Sequence, residues 1–390
     1  VTVLPVLGVD PTCYVGDGWF AGCKQLTTVV LPDTLTGIGA AAFRNCTSLE
    51  AIALPEGLKS IGAAAFEGCS RLSDVTLPST LTSIGDAGDT DFTGGAFAGT
   101  AIESVNLPAG LGQISANTFA GCTELTSITV DPANSVYSSV DGNLYSKDGS
   151  VLYVYAAGKP YEPFVIPETV NRIASYAFAG SNITSVVIPE TVTEIGASAF
   201  ANCENLLTVE FKNVMSVLPA GIFDGCMAIT EVTLPNGLVS VGEKAFYNCR
   251  SLETIELPDS VMSLGAYAFG YSGLTSFEVT ASIGSIAEGA FAGNKITAYS
   301  VSADNMLYQT IDGNLYNKAG TNLISYASGK AETAFVIPEG VTRSANSAFE
   351  RAVNLQSVTI ASTVTAIGDR AFSYCTSITD FLVAEGNQYY

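Results

Sequence analysis

Hydrophobic and polar positions along this chain follow one phrase that returns many times. One copy occupies residues 252–269 and reads LETIELPDSVMSLGAYAF. Polar and apolar residues alternate from Thr254 to Leu257, and this period of two predicts a β-strand over residues 252–257 with its apolar side chains turned inward. Pro258 ends the strand, because proline cannot donate the next backbone hydrogen bond of a ladder.

The second half of the phrase predicts a turn followed by a short helix. Val261 and Leu264 carry the apolar side chains of the turn, and Gly265 closes it. Residues 266–269 are predicted to form a short helical segment, whose Phe269 fills the core. Each copy is therefore expected to contribute one strand, one turn and one helical segment.

A phenylalanine marks the end of every copy, and most intervals between these phenylalanines are 22 or 23 residues. The copies end at Phe20, Phe43, Phe66, Phe97, Phe119, Phe178, Phe200, Phe223, Phe246, Phe269, Phe291, Phe349 and Phe372. A period in the low twenties with an L-x-x-L-x-L core is typical of a leucine-rich-repeat solenoid. We therefore predict an α/β repeat fold: a right-handed leucine-rich-repeat solenoid with a parallel concave β-sheet, one domain over residues 1–390 with about 13 repeats.

Two intervals are much longer than the others and contain related inserts, at about residues 131–164 and 302–335. Both inserts carry the sequence Asp-Gly-Asn-Leu-Tyr, at residues 141–145 and 312–316. An Asp-Gly pair between β-rich segments favours a tight hairpin turn. We predict that each insert is a β-hairpin within one enlarged repeat.

The two ends of the sequence resemble interrupted repeats. Residues 1–5, VTVLP, resemble the end of a repeat strand, and residues 387–390, NQYY, resemble the opening of the inserts. Solenoids need polar terminal caps, and neither end provides a clear one. We therefore expect the chain to be a segment of a longer protein.

Composition disfavours several classes of function. Hydrophobic residues make up 47% of the chain and charged residues 14%, which suits a shared core and not disorder. The net charge of −21 disfavours binding to nucleic acid or to an anionic membrane surface. The chain has no histidine, the commonest metal ligand and general base. With no nucleophile–base pair, phosphate loop or bilayer-spanning apolar run, we predict no enzyme activity, cofactor, metal or direct membrane insertion.

Cysteine occupies a regular position in the repeat. Eight of the nine cysteines stand three residues after a repeat phenylalanine, where other copies have residues such as Thr100, Ser181 or Asn294. This interchange predicts a packing position filled by buried free thiols. Disulfides are disfavoured because the side chains of one ladder point the same way and the number of cysteines is odd. Cys13 lies outside the ladder and is predicted to be the exposed thiol.

Four consecutive repeats carry a carboxylate on the outward face of the predicted strand. These residues are Glu210, Glu231, Glu256 and Glu278. Glu256 and Glu278 are expected to be lateral neighbours, which is unfavourable for like charges unless a cation or a basic partner relieves it. We predict a partner-binding patch at these four residues. The alternative is a solvated face of a strongly acidic protein.

Two further features leave alternatives open. The loop over residues 85–95 holds Asp86, Asp89 and Asp91 among glycines, so it is either a calcium site or a solvated loop. The inserts are rich in tyrosine, which suits either recognition or packing, and packing is favoured. These tyrosines are Tyr137, Tyr145, Tyr153, Tyr155, Tyr161, Tyr308, Tyr316 and Tyr326.

The repeated phrase, with its Leu-Pro, Ile-Gly and Ala-Phe pairs and its following cysteine, resembles the BspA-like leucine-rich repeat family over nearly the whole chain. The insert Asp-Gly-Asn-Leu-Tyr followed by Gly-Lys resembles that family too. The resemblance implies a secreted or cell-surface bacterial protein with an adhesion or recognition role. Its expected partner is a host extracellular or bacterial surface protein or glycan.

The resemblance transfers no binding residues, because the family motif is the scaffold. We expect a monomer that binds through an extended surface. The alternatives are a structural spacer that projects another module, and a recognition domain of a larger extracellular enzyme.

Overall fold

The computed structural model describes residues 2–3, 13–86 and 94–390, with the backbone alone described at residues 2, 3 and 86. It divides into two compact units, one of residues 1–184 and 191–203 and one of residues 185–190 and 204–390. Each unit is a repeat solenoid of parallel strands. Every regular repeat supplies one segment to a first ladder and a second short segment to another ladder.

In the first unit, the first-ladder strands are Thr2–Val3, Val29–Val30, Ala51–Ala53, Asp74–Thr76, Ser104–Leu107, Ser127–Val130 and Phe164–Val165. The second-ladder strands are Cys13–Val15, Leu35–Ile38, Ser60–Gly62, Ser83–Asp86, Gln113–Ile114, Val151–Val154, Arg172–Ile173 and Glu194–Ile195. The insert adds Tyr137–Val140 and Asn143–Ser146.

In the second unit, the first-ladder strands are Ser185–Ile188, Thr208–Phe211, Glu231–Thr233, Ser276–Val279, Ala298–Val301, Ala334–Val336, Ser357–Ile360 and Asp380–Val383. The second-ladder strands are Val217–Leu218, Ser240–Val241, Ser263–Leu264, Ser285–Ile286, Asn322–Ser325, Arg343–Ser344 and Ala366–Ile367. The insert adds Tyr308–Ile311 and Asn314–Asn317.

The second ladder replaces the turn that the sequence predicts around Leu264. Ser263–Leu264 pairs in parallel with Ser240–Val241 on one side and with Ser285–Ile286 on the other. Leu264 is buried, as predicted, while Ser263 is partly exposed. A strand of two residues is too short to show the period of two, so the sequence pattern could not distinguish it from a turn.

The prediction of a strand at residues 252–257 is wrong. The structure has no ladder pairing there, and the first ladder stops at Glu231–Thr233 and resumes at Ser276–Val279. The inward–outward alternation survives, because Ile255 is partly buried and Glu256 is exposed. The side chains of this segment therefore point inward and outward like those of its neighbours, although its backbone does not form the hydrogen bonds of a ladder.

The short helical segment predicted at residues 266–269 is also wrong, and no helix occurs in residues 13–86 or 94–390. Its backbone alternates between two kinds of hydrogen bond. The N–H groups of Ala268 and Gly270 donate to carbonyls three residues earlier, at 3.1 and 2.9 Å, whereas the N–H of Phe269 donates to Ala290 of the next repeat at 2.9 Å. Tyr267 also has a left-handed φ of 52°. A helix cannot form because this φ interrupts it and the bond to Ala290 takes a donor that a helix would use.

The repeat phenylalanines form stacks of nearly parallel rings. In the first unit the Phe43 and Phe66 ring centroids are 5.3 Å apart at 4°, and in the second unit those of Phe246 and Phe269 are 5.4 Å apart at 1°. Tyr155 and Tyr326 take the stack position in the two long intervals, 5.2 Å from Phe178 and Phe349. Each long interval therefore contains a stacked aromatic that a search for phenylalanine misses.

The inserts fold alike at residues 137–154 and 308–325. In each, the first strand runs antiparallel to the second, which runs antiparallel to a second-ladder strand. Asp141 and Asp312 lie between the antiparallel strands with φ of 50° and 48°. A buried asparagine anchors each insert: Asn134 donates to the carbonyls of Pro108 and Leu111, both at 2.9 Å, and Asn305 makes the equivalent bonds.

Candidate functional site

The four glutamates of the predicted patch all have exposed side chains on the first-ladder face of the second unit. The strand register places Glu210 opposite Thr233, and Glu231 opposite Thr208. These two carboxylates are therefore diagonal neighbours across the ladder, which separates them further than a direct pair.

Glu256 and Glu278 are not paired in the ladder, in contrast to the predicted register. Glu278 faces Ser300, whereas Glu256 lies in the segment that forms no strand. Near it, the Thr275 N–H donates to the Glu253 carbonyl at 3.1 Å. Glu256 instead borders an open groove of about 540 Å³ together with Glu231.

The patch has no internal charge compensation in the part of the chain that the structure describes. None of its glutamates takes part in the ion pairs formed there, such as Arg71–Glu50 or Arg172–Glu194. The sheet around it offers threonine hydroxyls, including Thr233 and Thr254, which border the same groove. The patch can attract a basic group, but it does not enclose one.

The described residues bring no metal-binding group together. No cluster of three or more His, Cys, Asp or Glu side chains suited to a metal occurs in residues 13–86 and 94–390. The aspartate-rich loop predicted as an alternative calcium site has its central residues, 87–93, outside the described residues.

The cysteine position is a hydrogen-bonding slot as well as a packing slot. Within the described chain all nine cysteines are free thiols. Cys69 Sγ donates to the Phe43 carbonyl of the preceding repeat at 3.0 Å, and Cys122 and Cys249 make the same bond to Phe97 and Phe223 at 3.1 and 3.2 Å. Burial raises the pKa of the Cys122 and Cys249 thiols, so both stay protonated and unreactive at neutral pH.

The prediction that Cys13 is the exposed thiol is wrong. Cys13 is half-buried, whereas Cys23 is exposed. Cys23 occupies the regular position three residues after Phe20. Residues 4–12, which precede this repeat, lie outside the described residues. Cys13 itself belongs to the second ladder, where it pairs with Leu35, and this ladder was missed by the sequence pattern.

Most insert tyrosines pack inside the fold. Tyr137, Tyr145, Tyr155, Tyr316 and Tyr326 are each at most 4% exposed. The Tyr137 hydroxyl accepts a hydrogen bond from the Ile114 N–H at 3.0 Å. Burial raises the pKa of Tyr145, Tyr155 and Tyr326 to about 12. Tyr161 is the exception, with 68% exposure, so packing accounts for the buried members of the set.

One arrangement was missed by the sequence analysis. Arg250, Lys295 and Arg351 belong to three different repeats of the second unit and line one groove on the edge formed by the turns. The sequence carried a clue that only a comparison between repeats reveals: Arg351 stands where most copies have glycine or asparagine.

Comparisons with known proteins agree with this architecture. The model of BspA-type leucine rich repeat regions matches the chain six times, at residues 10–88, 90–145, 153–230, 171–297, 216–328 and 328–390. The chain therefore belongs to the family of proteins with BspA-type leucine-rich repeats. A search of curated proteins found no match.

Similar solved structures include three bacterial proteins, of which the first shows the same fold. The pneumococcal vaccine antigen PcpA is 22% identical, with 96% of this chain and 77% of that protein covered and a TM-score of 0.53. A leucine rich cell surface protein from Faecalibacterium prausnitzii is 23% identical, with coverage of 98% and 87% and a TM-score of 0.41. A leucine-rich repeat protein from Eubacterium ventriosum is 23% identical, with coverage of 65% and 85% and a TM-score of 0.47. No helix in the described residues is long and apolar enough to cross a membrane.

Proposed function

We propose that this chain is a secreted or cell-surface recognition protein that binds a host or microbial protein or glycan over an extended surface, without catalysis. The observation that carries the proposal is the outward face of the first ladder in the second unit. Its glutamates are exposed and make no ion pair with the described residues. Membership in the BspA-type family, whose repeats match nearly the whole chain, supports a role at the bacterial surface.

The acidic patch of Glu210, Glu231, Glu256 and Glu278 is the proposed contact surface on this face. Four negative charges repel each other on one sheet, and a basic partner would remove that repulsion. Charge complementarity of this kind raises the rate of association and selects partners more than it adds affinity. The partner proposed for this face is therefore a basic region of a surface protein.

The proposed partner-bound form is a monomer of this chain that engages its partner through several repeats. A spacer that only projects another module is the second candidate. The stacked apolar core would hold such a spacer together even if no partner bound to the first-ladder face. The two differ in one respect: a spacer tolerates loss of the outward charges, whereas a recognition protein does not.

The proposal is tested by surface plasmon resonance of the full chain against extracellular-matrix proteins, mucin glycans and bacterial surface polysaccharides, with and without calcium. We expect a saturable partner whose affinity falls at least tenfold when all four patch glutamates are replaced by glutamine. The matched control replaces the exposed Glu124, Glu168, Glu190 and Glu204 by glutamine, which changes the net charge equally. An equal loss in both variants would show that net charge and not the patch is responsible. No binding across the panel would favour the spacer.

A further inference from the structure

A groove of about 570 Å³ in the second unit has a charge opposite to that of the molecule as a whole. Its lining includes Arg250, Lys295 and Arg351, and within the described residues it includes no aspartate or glutamate. The whole chain carries 16 lysines and arginines against 37 aspartates and glutamates. Three cations that line one groove are therefore a pronounced local reversal of charge.

These three positive charges are not neutralised by the described parts of the protein. All three side chains are exposed, and none is among the ion pairs that the described residues form. Arg250 Nε donates to Asn248 Oδ1 at 2.7 Å, which leaves the two terminal nitrogens of the guanidinium free.

Two acidic side chains near the groove are already paired. Glu350, next to Arg351, is fully buried, accepts a hydrogen bond from the Tyr271 hydroxyl and lies 3.4 Å from Arg370. Glu332 pairs with Lys330 at 3.9 Å. Because these two pairs are neutral overall, neither of them offsets the charge of the three cations.

The groove has a floor of backbone and walls of side chains. A Cβ on Gly293 would meet the Tyr271 ring at 3.0 Å and Arg351 Cδ at 3.1 Å, and one on Gly329 would meet the Lys295 carbonyl at 2.0 Å. The Arg351 guanidinium lies 5.5 Å from the centroid of the Tyr271 ring. Glycine is thus needed on the floor, while Tyr271 and Arg351 together form one wall.

The backbone does not favour the two residues of this wall. In all thirteen copies the second residue after the repeat phenylalanine has a left-handed φ, between 56° and 78°. Ten copies have glycine or asparagine there, which adopt this conformation most easily. The three exceptions are Tyr271, Arg351 and Tyr374. Two of the three contact each other in the groove, which indicates that their side chains serve something other than the fold.

The first insert provides an internal comparison. A Cβ on Gly158 would meet the Glu124 carbonyl at 2.7 Å, as one on Gly329 meets that of Lys295, so the two junctions share a scaffold. The side chains that matter differ: Lys295 corresponds to Glu124, Arg351 to Gly180, Tyr271 to Gly99 and Arg250 to Ser70. The scaffold alone therefore does not require the cations or the tyrosine.

We propose that this groove binds an acidic saccharide, with a carboxylate or sulfate of the sugar held by Arg250, Lys295 and Arg351. Free guanidinium nitrogens suit paired hydrogen bonds to such groups, and the volume is within the roughly 300–1,000 Å³ of small-ligand sites. The net charge of −21 opposes long polyanions but acts weakly on one sugar acid inside the groove. This inference rests on the proposed recognition function, for which it names a ligand class and a site.

The test is isothermal titration calorimetry of the full chain with oligogalacturonate, a sulfated galactan oligosaccharide, their uncharged counterparts and inorganic sulfate. We expect the acidic sugars to bind and the uncharged ones to bind at least tenfold more weakly. Arg351→Gly and Lys295→Glu, which introduce the residues found at the corresponding positions beside the first insert, should each weaken binding at least tenfold. Arg351→Gly should leave the melting temperature unchanged or raised, because glycine relieves the left-handed backbone.

Two control variants separate the groove from general effects. Arg343→Ala removes an exposed positive charge of the same unit outside the groove, and Tyr374→Gly relieves the same backbone conformation outside the groove. Both should bind acidic sugar like the unmodified chain.

Three results would overturn the inference: equal binding of acidic and uncharged sugars, unchanged binding in Arg351→Gly, or inorganic sulfate binding as tightly as the sulfated sugar. If acidic sugars fail but a surface protein still binds the acidic patch, the groove assignment fails while the proposed function stands. If neither binds, both fail.

Discussion

At the scale of single residues, the position three residues after the repeat phenylalanine is filled in most repeats by a side chain that can donate a hydrogen bond, although Ala352 occupies it after Phe349. Cys249 donates to the Phe223 carbonyl at 3.2 Å, and Asn294 donates to the Phe269 carbonyl at 3.0 Å. The same carbonyl of Phe223 also accepts from the Cys226 N–H at 3.1 Å. The thiol therefore adds a second, weak bond and fills volume.

Cys249→Ala should lower the free energy of unfolding by about 1–2 kcal/mol, because it removes a buried sulfur and a weak hydrogen bond. Cys249→Thr should cost less, since Thr100 fills the same slot in another repeat. Urea unfolding followed by circular dichroism measures both. Cys23→Ala changes an exposed member of the slot and should have almost no effect. A loss at Cys23 equal to that at Cys249 would contradict the packing role.

A second prediction at the residue scale concerns a buried hydroxyl. Tyr316 Oη is buried and has no hydrogen-bond partner among the described residues, whereas Tyr299 Oη lies 2.8 Å from Ser325 Oγ. Tyr316→Phe should stabilise the protein by about 1 kcal/mol, because it removes an unsatisfied polar group. Tyr299→Phe should destabilise it by a similar amount. Thermal melts of both variants decide the matter, and a destabilised Tyr316→Phe would mean that its hydroxyl has a partner.

At the scale of the element, the segment around each repeat phenylalanine forms turns that are hydrogen-bonded to the next repeat, and it does not form the predicted helix. Every second N–H in the turn segment donates to the neighbouring repeat, as Phe66 does to Ala96 at 2.7 Å and Phe246 to Ala268 at 2.7 Å. Local propensity favours helix in such alanine-rich segments. The hydrogen bonds to the next repeat override that propensity, because several form in each repeat, such as those from Lys244, Phe246 and Asn248, together with ring stacking.

The inserts carry a prediction about alkaline pH. Tyr155 takes the stack position of the first insert, and burial raises its pKa to about 12, against about 10 in an unfolded chain. A raised pKa in the folded state means that the neutral phenol contributes stability below about pH 10, and that this stability is lost as the pH rises towards 12. Tyr155→Phe should therefore shift alkaline unfolding to higher pH.

Circular dichroism across pH 8–12 measures that shift. Phenylalanine fits because the regular repeats use it at the same position, so the stack itself should survive. Tyr161→Phe changes a tyrosine that is 68% exposed and should leave the alkaline midpoint where it is. An unchanged midpoint in Tyr155→Phe would show that another buried group controls alkaline unfolding.

At the scale of the whole molecule, a net charge of −21 opposes the compact state through self-repulsion. The melting temperature should rise by on the order of a few degrees when NaCl increases from about 10 mM to about 150 mM, over which the Debye length shortens from about 30 to about 8 Å. Differential scanning calorimetry measures this, with sucrose of equal osmolality as the uncharged control. A flat or falling melting temperature would show that local ion pairs outweigh the repulsion.

Much of the fold was predictable because its determinants recur in the sequence. The interval between phenylalanines predicted the stacked repeats, and alternation in segments such as Ser104–Leu107 predicted strands that the structure contains. The buried cysteines were predicted from their interchange with other small residues. The four glutamates were placed correctly on an exposed face, but their register was not, because Glu256 lies in a segment that forms no ladder.

Sequence by itself determined the features set by one repeat and its copies: the period, the inward and outward side chains, the aromatic stack and the family. Tertiary structure decided the features that depend on contacts with an adjacent repeat. These are the second ladder, the turns in place of helices, and the positions of Tyr155 and Tyr326 in the aromatic stack. Tertiary structure also brought Arg250, Lys295 and Arg351 into one groove, although Arg250 and Arg351 are 101 positions apart in the sequence. The physical reason is that alternation acts within a few residues, whereas hydrogen bonds and charges between repeats depend on which coils become adjacent.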